Sequence, residues 1–172
     1  MPYGTLTDQQ AKLVERFVRG QVVYDLGAGD LYLACEMLRL GAVRVIAIDK
    51  EDIRFSGIPD AVVYRKMLFR DVKEAFIDIA LISWPSNYDN GLLPILMRSK
   101  VILYLGKNTD GSACGTPGMF RYLLKRKAEC VPDRRSTLIC YTDFLQETRV
   151  PLPEETAAIT ASLDTPYLHY GA

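Results

Sequence analysis

Histidine is nearly missing from this chain: His169, three residues from the end, is the only one among 172 residues. Cysteine is sparse too, and Cys35, Cys114, Cys130 and Cys140 include no C-x-x-C pair. A zinc cluster needs closely spaced thiolate or imidazole ligands, so no metal centre is expected. With neither a disulfide framework nor a signal peptide, the chain reads as a cytoplasmic protein with reduced thiols. Its apolar runs fall far short of the ~20 residues that a membrane-spanning helix needs. Charge of one sign is also lacking, because 21 basic and 21 acidic side chains cancel. That removes the whole-molecule attraction on which a sequence-blind nucleic-acid binder relies, although a local basic patch stays open.

What remains is a globular composition, 49% hydrophobic and 24% charged, which excludes disorder, collagen and an all-helical coiled coil. A chain of this length buries roughly 70% of its unfolded surface and needs no staples. We read one domain: an N-terminal helix over 1–20, a core over 21–142 and a C-terminal appendage over 143–172.

Thr7 and Gln10 form a capping box before a helix carrying Leu13, Val14, Phe17 and Val18 at helical spacing, with Leu6 placed to staple against Ala11. Strands are predicted at 22–26, 43–48, 61–64, 77–83 and 101–105, around Cys130 and at 137–141. A helix with Leu31, Ala34, Cys35 and Leu38 on its inner face follows the first strand. Further helices are expected at 92–97 and, with Thr116 as N-cap and Pro117 at N1, to about Lys127. The connections on either side of the third strand are too short to promise helices. Strands apolar on both faces and alternating with helices mean a parallel sheet covered on each side. The short link between the last two strands favours an antiparallel pair.

The informative stretch is V-V-Y-D-L-G-A-G-D, residues 22–30, followed after one helix by a strand ending at Asp49. Gly27 and Gly29 stand where a buried strand must turn sharply into a helix, and glycine lets a ligand approach the main chain there. In a parallel sheet, the glycine loop and a carboxylate at the end of the next strand share one edge, where nucleotides bind. Such a carboxylate can accept both hydroxyls of a ribose. A dinucleotide site wants G-x-G-x-x-G, but the third position is Tyr32, and Asp30 puts a carboxylate where a pyrophosphate wants bare amides. Asp25 can instead meet a positively charged or amine-bearing ligand. A nicotinamide or flavin enzyme is disfavoured on these grounds.

D-L-G-A-G-D closely resembles the first motif of the class I S-adenosylmethionine-dependent methyltransferases, and Asp49 matches that family's acidic residue after the second strand. The resemblance implies an α/β fold: a Rossmann-like three-layer sandwich with a mostly parallel seven-stranded sheet and an antiparallel last strand. It also implies S-adenosyl-L-methionine as cofactor, held by Asp25, Gly27, Ala28, Gly29, Asp30, Asp49 and Lys50. Gly27 and Gly29 would border its methionine part, Asp25 its amino group, and Asp49 its ribose. Many members carry an acidic or amide residue after the third strand for the adenine amino group. Here that stretch holds Met67 and Leu68, with Asp71 a candidate only if the register slips.

Ser83-Trp84-Pro85-Ser86 resembles the fourth motif of amino-methyltransferases, [DNS]-x-P-[aromatic], which implies Ser83, Trp84 and Pro85 as catalytic residues acting on an amine. Ser86 replaces the stacking aromatic, a part that Trp84 or Tyr88 could take. Asp89-Asn90 resembles the carboxylate–amide pair of metal-dependent oxygen methyltransferases, yet Asn90 reads more simply as a helix N-cap. The loop 106–115 offers Lys107 and Asp110 as polar contacts, with Cys114 a bystander. Arg121, Lys125, Arg126 and Lys127, with Arg134 and Arg135, read as a solvated helix end. His169 reads as exposed or as a subunit contact.

With no target-recognition domain, unaided reading of DNA sequence is disfavoured. A small molecule, a protein side chain or RNA remains as acceptor, in a monomer, a homodimer or a partner subunit. The rival reading is a methyltransferase-like binding or scaffold module without catalysis.

Overall fold

The computed structural model describes residues 5–52, 57–86, 91–107, 114–134 and 136–144. Thr7 caps α1 (Asp8–Val18) by accepting from the Gln10 amide, and the Gln10 side chain accepts in return from the Thr7 amide at 3.0 Å. Leu6 and Ala11 both pack on the same core cluster as the rest of α1. Gln10 is fully buried, and its Nε2 donates to the carbonyls of Val131 and Ser136 at 3.2 and 3.1 Å. The capping residue thereby ties α1 to a hairpin more than a hundred positions away.

The sheet strands are β1 (Val22–Leu26), β2 (Arg44–Asp49), β3 (Val62–Lys66), β4 (Ile77–Ser83), β5 (Ser99–Gly106), β6 (Arg126–Val131) and β7 (Thr137–Phe144). They lie in the order β3-β2-β1-β4-β5-β7-β6. The first five run parallel, and β7 is antiparallel to both β5 and β6. The expected seven-stranded mixed sheet is therefore present, with the last strand inserted between the fifth and sixth.

Helices α1 and α2 (Tyr32–Arg39) cover one face, where Val14, Met37, Val45, Ala47 and Leu81 are fully buried. The other face is covered by a 3-10 turn (Phe69–Asp71), α3 (Leu92–Leu96) and α4 (Pro117–Leu123), over Ile48, Ala80, Ile82 and Ile102. No helix among the described residues is long and apolar enough to cross a membrane.

Three local expectations are corrected. Leu31 takes a left-handed cap conformation, φ 62°, so α2 begins one residue later; Leu31 and Ala34 are buried and Leu38 packs on the core as expected, whereas Cys35 is half-buried and Leu33 and Met37 are buried as well. The last helix stops at Leu123 rather than near Lys127, and Arg126 is no solvated helix end. It is 5% exposed in β6 and donates to the carbonyls of Ser99, Lys100 and Thr142 and to the Tyr122 hydroxyl. The cap position of α3 is Gly91, not Asn90.

Tyr104, buried on β5, donates its hydroxyl to the Lys107 carbonyl at 3.0 Å and lies 3.4 Å from the Cys114 carbonyl. One phenol thus holds both ends of the 107–114 segment. Gly106 makes room for it, since a Cβ there would come within 2.7 Å of that oxygen.

Candidate cofactor and acceptor site

β1 ends at Leu26, and the chain turns through Gly27 at φ 83° and Gly29 at φ 50°. These are left-handed conformations that favour glycine. The bend is tied to the neighbouring strand, because the amides of Gly27 and Ala28 both donate to the Ile48 carbonyl, at 2.8 and 3.1 Å. One residue beyond Ile48, Asp49 turns its carboxylate onto the bend: Oδ2 accepts from the Gly29 amide at 2.9 Å, and Oδ1 accepts from the Glu51 amide at 3.0 Å. Each oxygen has further lone-pair capacity for a hydroxyl donor. Asp30 Oδ1 accepts from the Tyr32 amide at 3.1 Å, so it occupies the start of α2 that a pyrophosphate would need.

Asp25 is 1% exposed, and neither carboxyl oxygen has a hydrogen-bond partner among the described residues. Burial, reinforced by the charges of Asp49 and Asp30, pushes its pKa from 3.8 up to about 7. A buried carboxyl without a donor favours its neutral form. The nearest way to hold it ionised is to bring a cation to it.

A cavity of about 830 Å³ opens beside the bend. Leu26, Gly27, Asp49 and Lys50 form one side of it. Met67, Leu68 and Phe69 supply an apolar wall after β3, and Asp71 does not reach it. Ser83, Trp84, Pro85 and Ser86 form the wall beyond β4. The structure therefore brings Gly27, Asp49, Lys50, Ser83, Trp84 and Pro85 to one space. Asp25 and Ala28 are buried off its wall, and Gly29 and Asp30 face solvent beside it.

Trp84 takes φ 48°, a left-handed conformation rare for a bulky residue, and its amide donates to the Leu105 carbonyl at 2.8 Å. Such a conformation costs on the order of 1–3 kcal/mol and persists only where the surroundings enforce it. Ser86 forms an antiparallel bridge with Cys114, which joins this wall to the end of the 107–114 segment. Tyr88, Asp89, Asn90, Asp110, Arg135 and His169 lie outside the described residues.

Sequence reasoning missed Arg70, Lys73 and Arg98, which also line the cavity. No local pattern marks them, because their place depends on how the short turn after β3 meets α3.

No protein-family model matches the chain, and no curated protein matches it in sequence. Solved structures do match in shape. A candidate RNA methyltransferase from Pyrococcus horikoshii superposes with a TM-score of 0.57 at 16% identity, over 81% of each chain. The ribosomal protein L11 methylase of Lactobacillus delbrueckii subsp. bulgaricus gives 0.56 at 16% identity, over 83% of this chain and 81% of that one. A Burkholderia thailandensis 1,6-didemethyltoxoflavin-N1-methyltransferase, solved with its toxoflavin ligand and S-adenosylhomocysteine, gives 0.54 at 18% identity, over 79% and 80%. The glycine bend, the facing carboxylate and the β3-β2-β1-β4-β5-β7-β6 sheet thus sit in a chain with the fold of the class I S-adenosylmethionine-dependent methyltransferases.

Proposed function

We propose that the chain is an S-adenosylmethionine-dependent methyltransferase acting on an amine nitrogen of a small molecule, a protein or RNA. The observation that carries this reading is the Asp49 carboxylate, turned onto the Gly29 amide at the mouth of a cavity that also holds Ser83, Trp84 and Pro85. The residues fit the cofactor: Asp49 and Gly27 line the cavity, Gly27 leaves room for close approach, and behind the bend Asp25 is a buried carboxyl with no partner among the described residues.

When bound, the sulfonium supplies an activated methyl group, and no metal is needed. Asp49 would accept from the ribose hydroxyls, and Asp25, behind the bend, would offer its charge to the ammonium. The Ser83 hydroxyl and the carbonyls of the Ser83–Pro85 turn accept from the acceptor amine and aim its lone pair. Holding the reacting atoms ~3–3.5 Å apart and in line supplies much of the rate. Trp84 offers the stacking face that Ser86 lacks. A cytoplasmic setting, which keeps the four free cysteines reduced, accompanies this reading.

The absence of an aromatic at Ser86, which is bridged to Cys114 instead, favours a second reading: a cofactor-binding scaffold without transfer. Radiolabelled methyl transfer to fractionated extract separates the two and sorts small molecules, RNA and protein. Asp49→Ala removes hydrogen bonds to a charged group, each worth ~1.5–3 kcal/mol. Calorimetry should show S-adenosylhomocysteine bound at least ~10-fold more weakly; unchanged affinity overturns the ribose assignment.

A further inference from the structure

The cavity reaches well away from the glycine bend. Arg98 immediately precedes β5, and its carbonyl accepts from the Ile77 amide at 3.1 Å, which sets its backbone level with the first residue of β4. Ser83 is the last residue of that seven-residue strand. At roughly 3.3 Å per residue the two ends of β4 are about 20 Å apart. The Arg98 side chain extends from there to the Val72 carbonyl, and Arg98, Ser83 and Trp84 line one cleft between the 3-10 turn and α3.

Its charge is one-sided. Among the described lining residues there are four cations, Lys50, Arg70, Lys73 and Arg98, against one carboxylate, Asp49, whose oxygens already accept backbone amides. None of the four is ion-paired with a described residue. On β3, just before the cleft, Arg65 is paired with Glu74 and Lys66 with Asp52. Neutralisation stops where the cleft begins.

Arg98 carries the second sign of an unfilled role. One guanidinium nitrogen, Nη2, donates to the Val72 carbonyl at 3.0 Å and fixes the group in place. Its Nε is buried and has no hydrogen-bond partner among the described residues. Nε is shielded from the cleft, so an anion there would meet the guanidinium through its terminal nitrogens, whose charge no described carboxylate offsets. The planar guanidinium fork matches the oxygens of a phosphate, and nearby unpaired cations favour its double charge over the single charge of a carboxylate. Trp84 also lines the cleft, and an indole is a side chain against which a planar ring can stack.

We infer that Arg98, Lys73 and Arg70 form an anion subsite that holds a phosphate of the methyl acceptor while its ring lies against Trp84, so that the acceptor is a phosphate-bearing nucleoside. The word "acceptor" rests on the methyltransferase reading; the anion subsite does not. The phosphate can belong to a free nucleotide or to an RNA chain.

Trp84 is the only tryptophan in the sequence, so its fluorescence reports directly on the cleft. The protein is first saturated with S-adenosylhomocysteine and then titrated with cytidine, cytidine 5′-monophosphate and a cytidine tetranucleotide. A phosphate-bearing probe should bind at least ~10-fold more tightly than cytidine, with the advantage shrinking as salt is raised. Lys73→Gln and Arg98→Gln should each remove most of that advantage and leave S-adenosylhomocysteine and cytidine binding as they were. The Lys73 side chain is exposed and makes no ion pair with a described residue, so its variant keeps the test valid if Arg98→Gln fails to fold. A tight monophosphate identifies a free nucleotide, and binding confined to the tetranucleotide identifies RNA. Equal binding of cytidine and its phosphates, an advantage that survives both variants, or equal competition by succinate overturns the subsite. Loss of S-adenosylhomocysteine binding by the unmodified protein would count against the methyltransferase reading alone, since the nucleotide titrations can be run without it.

Discussion

Among the described residues, the two faces of the sheet are covered differently. On one, α1 and α2 contribute 11 and 8 helical residues. On the other, a three-residue turn, the five-residue α3 and the seven-residue α4 do the same job. The strands beneath are equally sealed: Val45 and Ala47 toward the first face and Ile48 and Ile82 toward the second are all fully buried. Short cover is therefore enough to exclude water from the strands, and what it leaves over is a cleft. Uncompensated charge follows the same division. The well-covered face encloses Asp25, a carboxyl with no partner among the described residues, whereas the thinly covered face leaves cations that no described residue pairs lining open space.

The largest expected effect comes from that enclosed carboxyl. Its pKa in the folded protein is about 7, against 3.8 ordinarily. The folded state keeps a proton that the unfolded chain gives up, so stability is full below about pH 4 and declines as pH rises toward 7. Asp25→Asn should remove the decline, raising stability at pH 8 by up to about 4 kcal/mol and leaving it unchanged at pH 3. Urea titrations at the two pH values check this; a difference independent of pH would break the contrast between the faces. The same substitution should weaken S-adenosylhomocysteine binding, because the ammonium loses its counter-charge.

Paired truncations sharpen the comparison. Met37 is fully buried between α2 and the sheet, and Met37→Ala should cost about 3 kcal/mol through the void it leaves. Leu92 is 2% exposed but borders the cleft, so Leu92→Ala enlarges a space that already exists and should cost nearer 1–2 kcal/mol. Equal losses in chemical denaturation would show that the thin cover is packed as tightly as the thick one. The smallest effect lies at the start of α1, where Thr7→Ala should cost about 1 kcal/mol by releasing the Gln10 amide. Faster hydrogen exchange in the first turn is the readout.

Much of the fold could be read from local chemistry. The Thr7–Gln10 capping box, the Thr116–Pro117 helix start and the Ile77–Ser83 strand each depend on a few adjacent residues, and each is present. The placement of Asp49 against Gly29 followed from parallel strand order, because a strand end and a neighbouring bend share one edge. Long-range consequences were not visible. Nothing near Arg126 signals that its guanidinium will be spent on carbonyls from β5 and β7, and nothing near Gln10 announces Val131 and Ser136. Of the residues expected on the inner face of α2, Leu31 and Ala34 are buried and Leu38 packs on the core; what hydrophobic spacing did not show is the left-handed Leu31 that starts the helix at Tyr32. The cations of the cleft were missed because they mark where cover is short, and shortness has no motif.

Tyr104 has a consequence for engineering. Because a single phenol meets the carbonyls of both Lys107 and Cys114, it fixes the two points that any replacement for residues 108–113 must join. Tyr104→Phe removes that constraint and should let the two points drift apart.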